Sequence, residues 1–295
     1  MTDFDVVIVN YKSAAHTFEC VKSVHSVAAS DAVTVHVTVV NNADDSVALD
    51  AAVGAAGGAV VVHNAENVGF GVASNAGARQ GDARYLLFLN PDARLAVGAL
   101  QAMRAFLDDP KNTNVGIVGP EIRDGNGRLV RSSSRIPTAC DLILRSIGAH
   151  VLFPNRGYPF LPLKAHQASG VVGQVMGAAL VVRRPLFDAL GGFDPDFFLY
   201  YEDVDLCARA AARGSACYYL KNAHAIHIGR ASSSQNPTAT LALHVRSRIL
   251  YVRKHFGRGA SAILSAVCRF IEFPLRILLG NSRAVIAAYR NLPWA

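Results

Sequence analysis

The sequence predicts an α/β protein with a mostly parallel central sheet, helices on both faces and a helical C-terminal segment. Three observations predict it. Short apolar, β-branched runs alternate with helix-like stretches through the first half, the βαβα order of a parallel sheet. About half of the 295 residues are apolar (51%) and only 17% are charged, so the chain can bury a large core. Beyond residue 240 the pattern turns helical, with apolar residues and arginines interspersed.

Val6 to Val9 reads as a buried strand, Val33 to Val40 as a second, Val60 to His63 as a third and Tyr85 to Leu89 as a fourth. Helices are expected over 14–29, with Ser13 as N-cap, near 72–81 and over 96–108. Ligands of such sheets bind beyond the carboxyl ends of the strands. Asn10 and Tyr11, Asn41 and Asn42, Asn90 to Asp92, and the stretch Asn67 to Asn75 are therefore the polar groups to follow. Residues 120–170 read as a loop-rich insertion, with a turn at Asp124 to Gly127, then Arg131, Arg135, Pro137, Pro154, Pro159 and Pro162. A strand pattern returns over 171–182, helices over 185–190 and 203–213, and short strands at Tyr218 to Leu220 and Ala225 to Ile228. This divides the chain into a domain over 1–240 and an extension over 241–295.

The formal charge is +7, which suits an anionic partner. No stripe of basic residues interleaved with exposed aromatics points to a nucleic acid. The five cysteines are scattered without a CxxC, which fits a reducing compartment rather than a disulfide framework or zinc site. Neither a signal peptide nor a membrane-spanning helix is expected. The end of the chain crowds Ile263, Leu264, Val267, Phe270, Ile271, Phe273, Leu275, Ile277, Leu278 and Leu279 among Arg253, Lys254, Arg258, Arg269, Arg276 and Arg283. Residues 260–295 therefore read as a basic amphipathic segment for a membrane surface, or as a helix packed on the core, or as a homo-oligomer contact.

Three places carry candidate chemistry. Asp92 follows the fourth strand, where it can hold a divalent cation or cap the next helix. Glu202, Asp203 and Asp205 follow an aromatic patch at Phe197 to Tyr201. Asp203 can act as a general base there, and Glu202 and Asp205 cannot point the same way, so one of them bonds locally. His227 lies 24 residues past Asp203, between apolar neighbours, as a ligand or a core histidine, with His224 as a competitor. Gly69 and Gly71 allow a close backbone approach and partly echo a dinucleotide fingerprint, but Ser74 stands at the third glycine position.

In this order the segments Val7 to Tyr11, Val39 to Ala43, Glu66 to Gly71 with Asn75, Asn90 to Asp92, Gly177 and Ala178, Gly191 to Asp194, Phe197 to Leu206 and His227 resemble glycosyltransferase family 2, in its bacterial rhamnosyltransferase-like branch. The resemblance covers roughly residues 5–230. It implies a GT-A (Rossmann-like) fold, a nucleotide-sugar donor and inversion at the anomeric carbon. By position it implies Mg²⁺ or Mn²⁺ on Asp92 and His227, and Asp203 as catalytic base beside Glu202. It also implies a donor site lined by Asn10, Tyr11, Asn41, Asn67, Gly69, Asn75 and Asn90. The family usually carries Asp where Asn41 stands, which leaves the nucleotide open. The resemblance further implies dTDP-L-rhamnose as donor and a glycan or polyprenyl-diphosphate-linked acceptor from cell-surface polysaccharide synthesis such as O-antigen or cell wall. Arg131 and Arg135 are candidates to meet an acceptor pyrophosphate. The implied location is cytoplasmic, at the inner face of the plasma membrane if residues 260–295 bind lipid. Two other classes fit parts of the pattern: a nicotinamide-dependent oxidoreductase, and a nucleotide-sugar or polysaccharide binding protein without turnover.

Overall fold

The computed structural model describes residues 2–43, 45–149, 162–229, 237–279, 282–290 and 292. Pro154 and Pro159 of the expected insertion, and the side chain of Arg283, lie outside the described residues.

The four expected strands are β1 (Phe4–Asn10), β2 (Val35–Asn41), β3 (Val60–His63) and β4 (Tyr85–Leu89). All seven residues of β1 and all five of β4 are buried, as both-face burial requires of near-continuous apolar runs. They are joined by α1 (Ala14–Asp31), α2 (Ser46–Ala55) and α3 (Phe70–Ala78). α1 buries Cys20, Val21, Val24, Val27 and Ala28, a stripe at helical spacing. Ser13 does not cap α1 with its hydroxyl, which donates instead to Asn10 Oδ1 (3.0 Å).

Then come β5 (Ala93–Leu95), α4 (Ala99–Asp108), β6 (Val115–Arg123), β7 (Ser133–Ser134), α5 (Ala139–Ser146), β8 (Gly170–Val172), β9 (Gln174–Val175), β10 (Ala179–Arg183), α6 (Arg184–Leu190), α7 (Glu202–Ala212) and β11 (Ala216–His227). The main sheet runs β3-β2-β1-β4-β10-β6-β11-β5, with β8 also on β11. Strands β1 to β4 pair in parallel, and β6 with β11 likewise, while β10 is antiparallel to both β4 and β6. The sheet is thus parallel at its core but mixed, and its strand order reverses at β1, which lies between β2 and β4.

Three expectations need correcting. β6 was not anticipated, because Gly116, Gly119 and Pro120 break its apolar run. Those glycines make room: a Cβ would lie 2.2 Å from Leu186 Cδ2 at Gly116 and 2.6 Å from Val175 Cβ at Gly119. The two short strands expected at 218–220 and 225–228 are one strand, β11, with a register shift between Leu220 and His224. The loop-rich stretch contains a true helix, α5, closed by a capping box in which Thr138 and Asp141 exchange hydrogen bonds.

The C-terminal segment comprises α8 (Pro237–Val267), broken at Gly257 (φ 88°), a π-helical turn over Cys268–Glu272, α9 (Phe273–Leu279) and α10 (Ser282–Arg290). Among the described residues, no helix is long and apolar enough to cross a membrane. Tyr251, Val252, Leu264, Cys268, Ala288 and Tyr289 share a core with Leu142 of α5 and with Phe197. The extension is therefore packed against the wall that carries α5 and the start of α7.

Candidate active site

A cleft of about 340 Å³ gathers residues from distant parts of the chain: Asn90, Gln174, Gly177, Glu202, Asp203, His227, Arg145 of α5 and His244 of α8. The pairing of β5 with β11 sets Ala93 opposite His227. Asp92 Oδ1 consequently lies 3.1 Å from His227 Nε2, and Asn90 Nδ2 lies 3.4 Å from the same nitrogen. Asp92 does not cap the following helix, whose N-cap is Gly98. The competitor His224 turns to Glu121 instead (3.5 Å).

Among the described residues there is no cluster of three or more His, Cys, Asp or Glu side chains suited to a metal. One carboxylate oxygen and one imidazole nitrogen, set 3.1 Å apart, nevertheless fit two positions of a divalent ion. Diphosphate oxygens and water would fill the others.

Asp203 is aimed by the backbone before it. Tyr200 and Tyr201 both adopt positive φ (69° and 68°), a strained pair that turns the chain sharply into α7. Asp203 Oδ2 accepts from the Gly177 N–H (2.9 Å), and Oδ1 accepts from the Val204 N–H (2.8 Å). Gly177 permits this approach, since a Cβ there would sit 3.2 Å from Asp203 Cβ. Burial raises the Asp203 carboxyl above its ordinary range, and these N–H groups only partly offset that. Glu202, also buried, is pushed up to about 8 by burial and then by the charge of Asp203.

Asp205 faces the other way, as two residues along a helix must. It is fully buried and meets Arg209 (2.7 Å), Lys254 (2.7 Å) and His255 (2.8 Å). Burial alone would raise its carboxyl, but these three partners outweigh burial and hold it at about 2. Lys254 and His255 belong to α8, so the extension pins the helix that carries Asp203.

The residues expected on the donor side divide. Asn10, Tyr11 and Asn41 sit at or just beyond the carboxyl ends of β1 and β2, and Asn67 and Gly69 follow β3. None of these, nor Asn75, lines the cleft described above. Asn10 and Asn41 are fully buried and bonded to each other (3.0 Å), so they brace the strand ends. Asp45, not singled out in the sequence, lies 3.2 Å from Asn10 and brings a carboxylate close to Asn41. Tyr11 is 36% exposed and Asn67 is exposed, its Oδ1 accepting from the Gly69 N–H (3.0 Å).

Asn75 bonds within the protein. Its amide donates to Phe193 O (2.8 Å) and accepts from Phe193 N (2.9 Å). Gly69 likewise makes room for protein: a Cβ would lie 2.4 Å from Phe198 O, to which the Phe70 N–H donates. The start of α3, where an oxidoreductase would seat its pyrophosphate, is thereby filled by the Phe198 backbone.

Arg135 pairs with Asp141 of the α5 cap (3.3 Å), and neither it nor Arg131 lines the cleft. Arg145 does, and so does His244, which is held near 3 by burial and by the charges of Arg248 and Arg145. No sequence pattern marks either residue.

A family model described as "Glycosyltransferase like family 2" matches residues 2–249. The chain belongs to that family. This family 2 chain is 29% identical over 214 residues to N-acetylglucosaminyl-diphospho-decaprenol L-rhamnosyltransferase of Mycobacterium tuberculosis, covering 65% of the chain and 66% of that protein. It is 25% identical over 178 residues to Rhamnosyltransferase WbbL of Escherichia coli, covering 60% of the chain and 64% of that relative. The matches thus span just under two thirds of each relative's length. Among solved structures it is similar to mannosyltransferase PcManGT of Pyrobaculum calidifontis, solved with GDP-Man and Mn²⁺. That likeness has a TM-score of 0.56 at 17% identity and covers 97% of the chain and 73% of the other. At that identity it speaks for the fold, and the expected GT-A architecture is borne out.

Proposed function

We propose that the chain is an inverting, metal-dependent glycosyltransferase that moves L-rhamnose from dTDP-L-rhamnose to a hydroxyl of a polyprenyl-diphosphate-linked glycan. One observation supports the reading above the others: His227, whose Nε2 lies 3.1 Å from buried Asp92, lines the same cleft as Asp203. The names of the two rhamnosyltransferase relatives support the sugar, and the mycobacterial name supports a lipid-diphosphate acceptor. On this reading Asp92 and His227 hold Mg²⁺ or Mn²⁺, which when bound neutralises charge on the departing diphosphate. Asn90 sits beside that pair, its Nδ2 3.4 Å from His227 Nε2. Asp203 takes the proton of the acceptor hydroxyl as the oxygen attacks the face opposite the leaving group. Residues 1–240 form the catalytic domain, and 241–295 an extension that braces its acceptor wall.

The test is calorimetric binding of a nucleotide-sugar panel, with Mg²⁺ or Mn²⁺ present, followed by transfer assays with the tightest donor. Asp92→Ala should weaken metal-dependent donor binding about tenfold or more, since one charge-assisted ligand is lost. Equal donor affinity with and without EDTA would remove the metal from the account.

Membrane docking belongs to the same proposal. Ile263, Phe270, Ile271, Leu275 and Leu278 are exposed on the extension, Phe270 at 70% and Leu278 at 81%. Arg253, Arg258, Arg269, Arg276 and Arg290 are exposed around them. The full chain should float with anionic vesicles, and a Phe270→Glu, Leu278→Glu double variant should remain in the dense fraction. Flotation undiminished by the two charges would exclude this face as the contact.

A further inference from the structure

Glu202 opens α7 and lines the cleft, yet its side chain is 7% exposed and its Oε2 has no hydrogen-bond partner among the described residues. A buried carboxylate oxygen without a donor is costly, whereas a protonated carboxyl carries its own donor into the cleft. Its neighbour is arranged in the opposite sense, because Asp203 receives N–H groups from Gly177 and Val204. Two adjacent acids in one cleft do not ionise together cheaply, and the proton settles where the negative charge has fewer donors.

The groups that face Glu202 agree with that assignment. On its own helix stands Asp203, just ahead of it Tyr200, and in the same cleft Arg145, His227 and His244. His244 is neutral, held near 3. Burial first, and then the charge of Asp203, push the Glu202 carboxyl up to about 8.

We infer that Glu202 works as a neutral acid, its carboxyl O–H donating a hydrogen bond to a sugar oxygen of the bound substrate, while Asp203 alone takes the proton of the attacking hydroxyl. No bond forms or breaks at Glu202. Beside the acceptor that Asp203 presents, a protonated Glu202 places a donor on the same turn of helix, so the two adjacent acids serve a sugar in opposite senses. The inference rests on the glycosyltransferase reading for its ligand, though not for its proton.

The experiment compares wild type, Glu202→Ala and Glu202→Gln in the full chain, with donor Kd, acceptor KM and kcat followed from pH 5 to pH 9. Glu202→Ala should lower kcat/KM about tenfold or more, the effect of one lost charge-free donor in a buried site. Glu202→Gln should recover most of that loss, because its amide N–H donates from nearly the same place. Wild-type activity should decline above pH 8 as Glu202 ionises, and the Glu202→Gln profile should lack that decline. A rise in acceptor KM on removing the carboxyl assigns the bond to the acceptor sugar, and a rise in donor Kd assigns it to the donor sugar. Glu202→Gln as inactive as Glu202→Ala would overturn the proposal, since an ionised carboxylate would then be required.

A substrate-free readout separates the two levels. Glu202 holds its proton more tightly folded than unfolded, so its contribution to stability falls as pH rises from the ordinary carboxylate range towards 8. Glu202→Gln should therefore gain Tm over wild type at pH 8 relative to pH 5. An equal Tm difference at both pH values sinks the inference whatever the activity. The pH-dependent gain without transfer from any nucleotide sugar would sink the transferase reading and the sugar ligand with it, leaving only the held proton.

Discussion

Asp203→Asn is expected to lower sugar transfer about 10²–10⁴-fold, the range that a positioned general base supplies, while donor affinity stays near wild type. The amide keeps the side chain's shape but cannot accept the hydroxyl's proton. Both Asp203 oxygens accept from backbone N–H groups, of Gly177 and Val204, so the amide keeps one of these bonds and gives up the other. That local loss lies on the acceptor side of the proposed reaction, so donor binding should persist and the loss should fall on kcat. Steady-state kinetics on the variant, with calorimetry for the donor, checks both halves. Turnover within a few-fold of wild type would move the base elsewhere in the cleft.

Glu272→Ala should cost about 3–5 kcal/mol of stability, the usual result of leaving a buried charge without its partner. Arg248 is 1% exposed and is paired with Glu272, whose other oxygen accepts from Arg276 (2.9 Å). Burial opposes ionisation of Glu272, yet the Arg248 and Arg276 charges prevail and hold its carboxyl below the ordinary range. Without it, Arg248 is left, among the described residues, with the Cys268 sulfur (3.2 Å). The loss should appear as an earlier midpoint in urea, with cleft residues on α5 and α8 affected together because they share one core. A change under about 1 kcal/mol, the scale of an exposed pair, would mean that the extension contributes little to the folded body.

Much of the sheet was legible because burial on both faces leaves a local trace. β1 and β4 read directly from their buried apolar runs, whereas β3, exposed at both ends, reads from its three consecutive valines. β6 did not, because its glycines answer to neighbours far away in sequence, Leu186 and Val175. The candidate site was legible only in part. Asp92 and His227 can be recognised as a motif pair, but their meeting depends on the β5–β11 ladder, which no local pattern announces. Asn75 has the residue type of a ligand contact, and its bond to Phe193, 118 positions away, could not be read from the sequence. Arg145 and His244 left no trace at all, since each sits on an ordinary helix and only the folding of α8 against α5 turns them towards the cleft.

The anchoring of Asp205 bears on where this protein can be cut. Sequence similarity to the family ends at residue 249, inside α8 and ahead of Lys254 and His255. A border drawn there would leave a fully buried carboxylate with Arg209 as its remaining cation and unfasten the turn that aims its neighbour two places earlier. The stretch beyond the family's edge is thus part of the catalytic machine's frame, and shortening or exchanging it amounts to re-engineering the active centre from behind.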